Sequence, residues 1–577
     1  MNKYFYITIF TLGICFNKIN AQEIEQPIIP LEHVFVHFNT SFLVSGENIY
    51  YKLYCINTNT EKLSTLSKIA YLELIDNDLK SIFKHKIKLE NGVSSGDFFI
   101  PADIASGNYK LIAYTHWMRN WSNNIFKNDM FIINPFEKNR PDIFVKNDSL
   151  DIITNHTLID PLQTISGIRN TNNYVTLSVL KKKYGLREKV ELNISNSDPI
   201  NNLGNYSISV AKIDSIFIPR MFTSVNYAKL FESKNRNKIT FLPELRGELI
   251  SGKVLNINKE PVSNSIVAIS LPGKNFQLKI ATTNNNGSFY TYLNNNYPNN
   301  SAIFQILDMQ NEEYNLYVDK HTPLVLKDLE FSKFKVTPAM RKIIINRSVQ
   351  NQIENSYSSI KLDYEDSIFH IEPFYKSKIT QTYRLDDYTR FPSVKETAIE
   401  IMSNVFVRQH NKKSTMHVIF SENQINFKLL PMIIIDGILV QNHEEALAYN
   451  PNNIDKIHVI QSQYVYGSKI YQGIISIETK QGNYKTLAQS NSVKEINLFK
   501  PLVKKHYYKQ VYDNKSNFDR IPDYRNILFW EPYLTLPKKN NQLSFYASDI
   551  TGYYQIRLEG FNEDGSPISL QEIIKVN

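Results

Sequence analysis

The chain has 577 residues, of which 42% are hydrophobic and 21% charged, so at roughly 100–200 residues per domain it holds several folded units. Only 19 glycines exclude collagen-like and glycine-rich low-complexity chains, and 12% aromatics exclude wholesale disorder. The net charge of +9 is the balance of 65 basic and 56 acidic residues spread along the chain, the pattern of a solvated surface and not of a nucleic-acid footprint.

In chain order, Lys3, the apolar run Tyr4 to Phe16 and the small Ala21 before Gln22 predict a secretory signal over residues 1–21. Polar Asn17 and Lys18 cut the run short of the roughly 20 apolar residues a membrane anchor needs. Cleavage would remove Cys15 and leave Cys55, with no intrachain disulfide and no transmembrane segment in the mature chain. Cys55 reads as a small buried hydrophobe.

From residue 30 to 340, and again from 540 to 577, apolar and polar residues alternate with period two, which predicts strands with one wet face. Val34, Val36 and Phe38 alternate with His33, Phe35 and His37, and Tyr554, Ile556 and Leu558 alternate with Gln555, Arg557 and Glu559. Turn signals such as Ser45-Gly46-Glu47, Asn91-Gly92 and Asn286-Gly287 separate the strands. Helical spacing appears at Val394, Ala398, Ile401 and Met402, with Ser393 and Glu396 as a capping box, and again from His443 to Tyr449. The most apolar strands, Met432 to Leu439, Ile457 to Ile460 and Ile474 to Ile477, surround these helices. The expected fold class is therefore mainly β, tandem immunoglobulin- or macroglobulin-like sandwiches with one α+β unit. The expected divisions are 22–140, 141–240 and 241–340 as sandwiches, 341–385 as a linker, 386–484 as the mixed unit and 485–577 as a C-terminal sandwich. Asn-, Lys- and Ser-rich stretches near 141–172, 340–365 and 485–520 read as connections.

Three stretches carry resemblances. Val36 to Lys52, Gly96 to Pro101, Gly107 to Thr115 and Trp117 to Trp121 resemble the second macroglobulin domain of Bacteroidota envelope proteins. Gly252-Lys253-Val254, Glu260-Pro261-Val262 and the Asn286-Gly287 hairpin resemble the regulatory sandwich first named from carboxypeptidase D, a packing module without catalytic groups. Leu430 to Val440, Asn450 to Ile460, Tyr466-Gly467 and Gly473 to Lys480 are similar to the plug of TonB-dependent outer-membrane receptors. In that resemblance Asp436, Gly437, Gly467 and Gly473 are structural turn positions, and a transmembrane barrel of the kind that follows a receptor plug does not fit in the residues after 484.

The resemblance implies an exported, outer-membrane-associated, non-enzymatic protein that recognises outer-membrane proteins, in a transport or assembly complex. Tyr464, Tyr466 and Tyr471, beside the last hairpin, are the candidate partner contacts, weighed against packing on a neighbouring unit. No catalytic residue, cofactor or metal ligand is assigned. His33 and His37 have metal-like spacing on a strand without a third ligand nearby, His443-Glu444-Glu445 lacks a second histidine four residues on, and Ser81 and Lys84 lack companion motifs. Two alternatives stay open. One is a hydrolase or carbohydrate-acting enzyme using Asp386, Asp387 and Glu400, and the other a TonB-linked receptor component borrowing a barrel from another chain.

Overall fold

The computed structural model describes residues 30–577 except 122–123, 138–173, 198–203, 217–219, 231–238, 294–296, 298–299, 308–313, 321, 327–328, 367–371, 421–425, 486–489 and 513–519. The predicted signal, and the connection expected near 141–172, lie outside the described residues.

The protein is mainly β. The first sandwich packs the sheet of Glu32–Phe38, Asn48–Asn57 and Val93–Phe99 on a five-stranded sheet centred on Gly107–Thr115 and Ile69–Ile75. Val34, Val36, Leu53, Leu72, Leu74 and Leu111 fill the space between them. The expected wet face of Glu32–Phe38 does not exist, since every residue of that strand is buried. The outer side of the strand is covered as well: Phe35, itself part of the first core, meets Phe561 at 6.0 Å between ring centroids, and His37 bonds Ser207 and Ser209 at 2.6 and 3.2 Å.

Those covering residues belong to a second sandwich whose strands come from both ends of the chain. Val175–Val179 and Lys189–Asn196 pair with Asn540–Tyr546, and Asn205–Ile213 lies between Gly552–Phe561 and Ile527–Leu534. The separate sandwiches expected over 141–240 and 485–577 are thus one β structure. Neither segment buries its apolar face alone: Val190, Leu192, Ile208 and Val210 share a core with Phe545, Ile556, Leu558 and Leu570.

The third sandwich sets Glu248–Asn256, flanked by Ser288–Leu293 and Tyr314–Val318, against Gln277–Thr282, Ile266–Leu271 and Ser301–Ile306. Val493–Asn497, expected to be connection, adds an edge strand to it through Ser301–Ile306.

The mixed unit has a five-stranded sheet ordered Gln381–Arg384, Ile454–Tyr466, Lys469–Thr479, Met432–Ile435, Ile438–Leu439, with a hairpin of Val405–His410 and Lys413–Val418 beside it. The protein has four α-helices among the described residues: α1 (Ser224–Ala228), α2 (Arg341–Ser356), α3 (Val394–Glu400) and α4 (His443–Leu447). The Ser393 hydroxyl accepts from the Glu396 amide at 3.3 Å, the predicted cap of α3. The expected linker 341–385 instead begins with α2. This helix turns Arg347, Ser348 and Asn351 into the protein and drops Ile344 into a core with Phe42, Phe131 and Phe334.

Candidate functional site

The mixed unit carries Asp436, Gly437, Gly467 and Gly473, the turn positions expected from the sequence. Asp436 and Gly437 have φ of 48° and 87° and close the tight turn between Met432–Ile435 and Ile438–Leu439, as an Asp-Gly pair does where both central residues are left-handed. The Asp436 carboxylate is buried and saturated: it accepts from the Thr479 amide at 2.8 Å, the Thr479 hydroxyl at 2.5 Å and the Tyr484 amide at 3.0 Å. These bonds tie the turn to the end of Lys469–Thr479 and to the segment after it, a structural use of the carboxylate. Gly467, with φ of 63°, sits in the two-residue turn between Ile454–Tyr466 and Lys469–Thr479. Gly473, with φ of 85°, lies 2.4 Å by a constructed Cβ from the Ile460 carbonyl, where the ladder shifts register.

Tyr464, Tyr466 and Tyr471 share one face of the last hairpin, and that face is turned inward onto the third sandwich, in a core with Phe276, Leu278 and Ile434. The Tyr466 hydroxyl donates to the Leu278 carbonyl, and its ring stacks on Phe374 at 4.7 Å. Burial pushes the Tyr471 hydroxyl up to about 12. Lys378 caps the Tyr464 ring at 4.9 Å. The opposite face of the same hairpin presents Val465 and Ile470, a cross-strand pair that is exposed.

A second exposed apolar surface lies where the Val405–His410 hairpin meets the segment before Met432–Ile435. Phe406 is 42% and Phe427 48% exposed, with centroids 6.4 Å apart, and the Arg408 guanidinium lies 4.6 Å over the Phe427 ring. Phe420 and Leu430 are also exposed in this part of the chain. Sequence reading missed these residues because an isolated aromatic on a short strand or connection carries no local sign of which side is wet.

The residues weighed for chemistry are dispersed. Asp386 is exposed, pairs with Arg390 and lies 3.5 Å from Lys480; the Arg390 hydrogen bond, then Lys480, hold its carboxyl below the ordinary range. Asp387 and Glu400 are exposed on separate elements. His33 bonds Thr58 at 3.2 Å, and burial lowers its pKa to about 4. His443 accepts from the Met416 amide at 3.0 Å inside the mixed unit. Lys84 pairs with Glu73 at 3.0 Å. Cys55 is fully buried, and burial followed by Glu32 raises its thiol pKa, so the thiolate is suppressed.

A concentration of buried charge lies elsewhere, where α2, the first sandwich and the second sandwich meet. Arg347 on α2 forms a fork with Glu47, Nε to Oε1 at 2.6 Å and Nη2 to Oε2 at 2.8 Å, while Nη1 reaches Asp214 at 2.5 Å. Burial alone would lower the guanidinium's pKa, but Glu47 and Asp214 outweigh it and raise the value above the ordinary one. Nearby, Arg525 forks onto Asp523 at 2.6 and 2.7 Å, and Lys361 pairs with Glu354 at 2.5 Å. A cavity of about 280 Å³ opens among these groups, with Tyr50, Tyr507 and Trp530 on its wall. The one usable signal in the sequence was the spacing Ile344, Arg347, Ser348, Asn351, which keeps one helical face and argues against a linker.

No family model matches the sequence, and no curated protein matches it. Among solved structures, Salmonella alpha-2-macroglobulin reacted with methylamine aligns over 94% of this chain and 39% of its own, at 8% identity and a TM-score of 0.23. The native conformation of Escherichia coli alpha-2-macroglobulin aligns over 95% and 40%, at 8% identity and a TM-score of 0.24. The Escherichia coli adhesin FdeC aligns over 32% of this chain and 48% of its own, at 10% identity and a TM-score of 0.14. The chain spans about two fifths of the length of these macroglobulins.

Proposed function

We propose that this protein is a non-enzymatic, exported envelope protein that recognises a protein partner at the outer membrane, within a transport or assembly complex. The mixed unit acts as a plug-like recognition module carried on β-sandwiches. The observation that carries this reading is the pair Phe406 and Phe427, two aromatic rings left nearly half exposed on that module with a guanidinium over one of them. Exposed aromatics beside an arginine form the kind of patch that a partner desolvates, and such residues supply a disproportionate share of interface energy. Tyr464, Tyr466 and Tyr471 are not offered as contacts in this reading, because their face is occupied by the third sandwich.

The test is site-specific photo-crosslinking in intact cells, with the probe at Phe406 or Phe427 and, as a control, at exposed Tyr290 on the third sandwich. Covalent capture of an outer-membrane protein from the two phenylalanine positions, and not from Tyr290, is the expected result. Capture of soluble periplasmic proteins alone, or equal capture from all three positions, would overturn the reading.

A further inference from the structure

The hairpin of Val405–His410 and Lys413–Val418 has one closed edge and one open edge. Its two turn residues, Asn411 and Lys412, have φ of 49° and 63°, so His410 and Lys413 face each other as a hydrogen-bonded pair, and every second pair back along the ladder does the same. The Ile419 amide donates to the Asn404 carbonyl at 2.9 Å, which keeps that phase just past the end of the ladder. The amides and carbonyls of Val407 and Gln409 therefore point away from Lys413–Val418. On Lys413–Val418 the corresponding outward amides are taken by α4: Met416 donates to His443 Nδ1 at 3.0 Å, and Ser414 donates to the Glu444 carboxylate at 3.2 Å. The backbone groups of Val407 and Gln409 have no such partner among the described residues, and Gln409 is exposed. An edge with unpaired N–H and C=O groups is a template for another extended segment.

The charge beside this edge narrows the segment it admits. From Ile401 to Phe420 and from Asn426 to Ile435 the chain carries Arg408, Lys412, Lys413 and Lys428 and no acidic residue. All four are exposed, and none forms an ion pair among the described residues; Arg408 lies over the Phe427 ring instead. The acid bonded to this hairpin, Glu444, is held at the closed edge by the Ser414 amide. Basic side chains on a strand edge repel a second basic or uncharged strand that would bury them, and leave an acidic one favoured. Phe406 and Arg408 stand two residues apart on the same exposed face of the open strand, so they ask for an apolar and an acidic side chain at the same spacing.

We propose that the open edge of Val405–His410 takes up an extended acidic segment of the partner protein as an added antiparallel strand. This rests on the recognition reading above and names the chemistry of the partner. The antiparallel ladder is the more stable arrangement per residue. In it, an apolar residue of the segment lies opposite Phe406 and carboxylates lie opposite Arg408 and His410, the latter beside Lys413. The residues between them exchange backbone hydrogen bonds with Val407 and Gln409. The recognised pattern is therefore acidic-x-acidic-x-apolar.

The full-length chain is titrated with the fluorescein-labelled peptide Thr-Glu-Thr-Glu-Thr-Phe-Thr and followed by fluorescence anisotropy. Two control peptides carry lysine for both glutamates, or N-methyl groups on the two internal threonines, which block strand pairing and leave the protein unaltered. Saturable binding of the acidic peptide is expected, with each control about tenfold weaker. Arg408→Glu should reverse the preference between the acidic and lysine peptides. Gln409→Pro removes an outward amide that the hairpin itself does not use, so it should keep the fold and weaken the acidic peptide by about tenfold. No binding of the acidic peptide, or equally tight binding of either control, would overturn the proposal. The two readings fail separately. Photo-crosslinking of an outer-membrane protein from Phe406 that persists in Gln409→Pro would retain the recognition reading and overturn strand addition. Binding of the acidic peptide alone, with both controls weak and no outer-membrane protein captured, would support strand addition and overturn the outer-membrane assignment.

Discussion

Lys52 has no exposed surface in the strand Asn48–Asn57, and its ammonium donates to the Tyr206 carbonyl of the second sandwich at 2.9 Å. Burial lowers its pKa from 10.5 to about 7; Lys504 adds to that lowering, while Glu531 opposes it. The sign follows from proton counting. Below about pH 7 the lysine is charged in both states and its burial penalty is fully present. Between about 7 and 10.5 the unfolded chain binds more protons than the folded one, so stability rises with pH across that window. Glu244 works the other way. Burial and then Glu248 raise its pKa from 4.5 to about 8, so its contribution falls as pH rises through that interval. The wild-type profile mixes both, and a difference against Lys52→Met separates them. Chemical denaturation should find the advantage of Lys52→Met over wild type shrinking by about 2–3 kcal/mol between pH 7 and 9. A difference that stays constant across that range would mean the ammonium is solvated. None of this was legible in the sequence, where Lys52 alternates with apolar neighbours as a wet-face residue does. Period two identifies two faces, but the second sandwich that covers the outer one is specified nowhere nearby.

At the scale of elements, the turns and caps were the most legible features because their chemistry is local. Ser393 caps α3 and Asp436-Gly437 closes its hairpin as the residues alone indicate. What those turns touch was not legible. A Cβ at Gly437 would lie 2.1 Å from the Cβ of Phe276 in the third sandwich, while one at Gly467 would lie 2.8 Å from the Cγ2 of Ile280. Both glycines have positive φ, so both alanine variants carry backbone strain. The difference lies in what must move: at Gly467 a side-chain methyl can rotate away, whereas at Gly437 the obstacle is a Cβ fixed to the backbone. Thermal denaturation is therefore expected to rank Gly437→Ala as the more damaging substitution, by about 1–3 kcal/mol over Gly467→Ala. Equal costs would show that the turn at Asp436 does not dock rigidly on the third sandwich. The failed linker at 341–385 has a related cause. Helix α2 is polar around most of its surface, and its one inward face is anchored by Arg347, a residue type that reads as solvent-facing until Glu47 and Asp214 are placed beside it.

At the scale of the whole molecule, the second sandwich decides how the chain is put together. Ile208 pairs with Glu531 and Leu558, and Leu192 pairs with Leu543, so strands more than three hundred residues apart in sequence are neighbours in space. The third sandwich and the mixed unit are inserted between its two halves. Local alternation marked all of these strands as β without revealing that they belong together, since partner choice rests on shared burial and not on spacing. Two consequences separate this arrangement from tandem units. A chain ending at residue 520 would lose Ile527–Leu534, Asn540–Tyr546, Gly552–Phe561 and Pro567–Val576, and with them the partners of Val190, Leu192, Ile208 and Val210. It would also uncover Phe35 and Tyr54 of the first sandwich, because Phe561 and the Glu559 carbonyl contact them. Tandem units would leave residues 175–213 as protected as before. The inserted arrangement requires them to become open to hydrogen exchange and to limited proteolysis, while the sheet containing Met432–Ile435 and Lys469–Thr479, which makes its contacts with the third sandwich, keeps its protection. Adding the peptide 521–577 in trans should restore protection over 175–213, since the missing strands supply that core directly. Persistence of protection in the shortened chain without the peptide would refute the insertion.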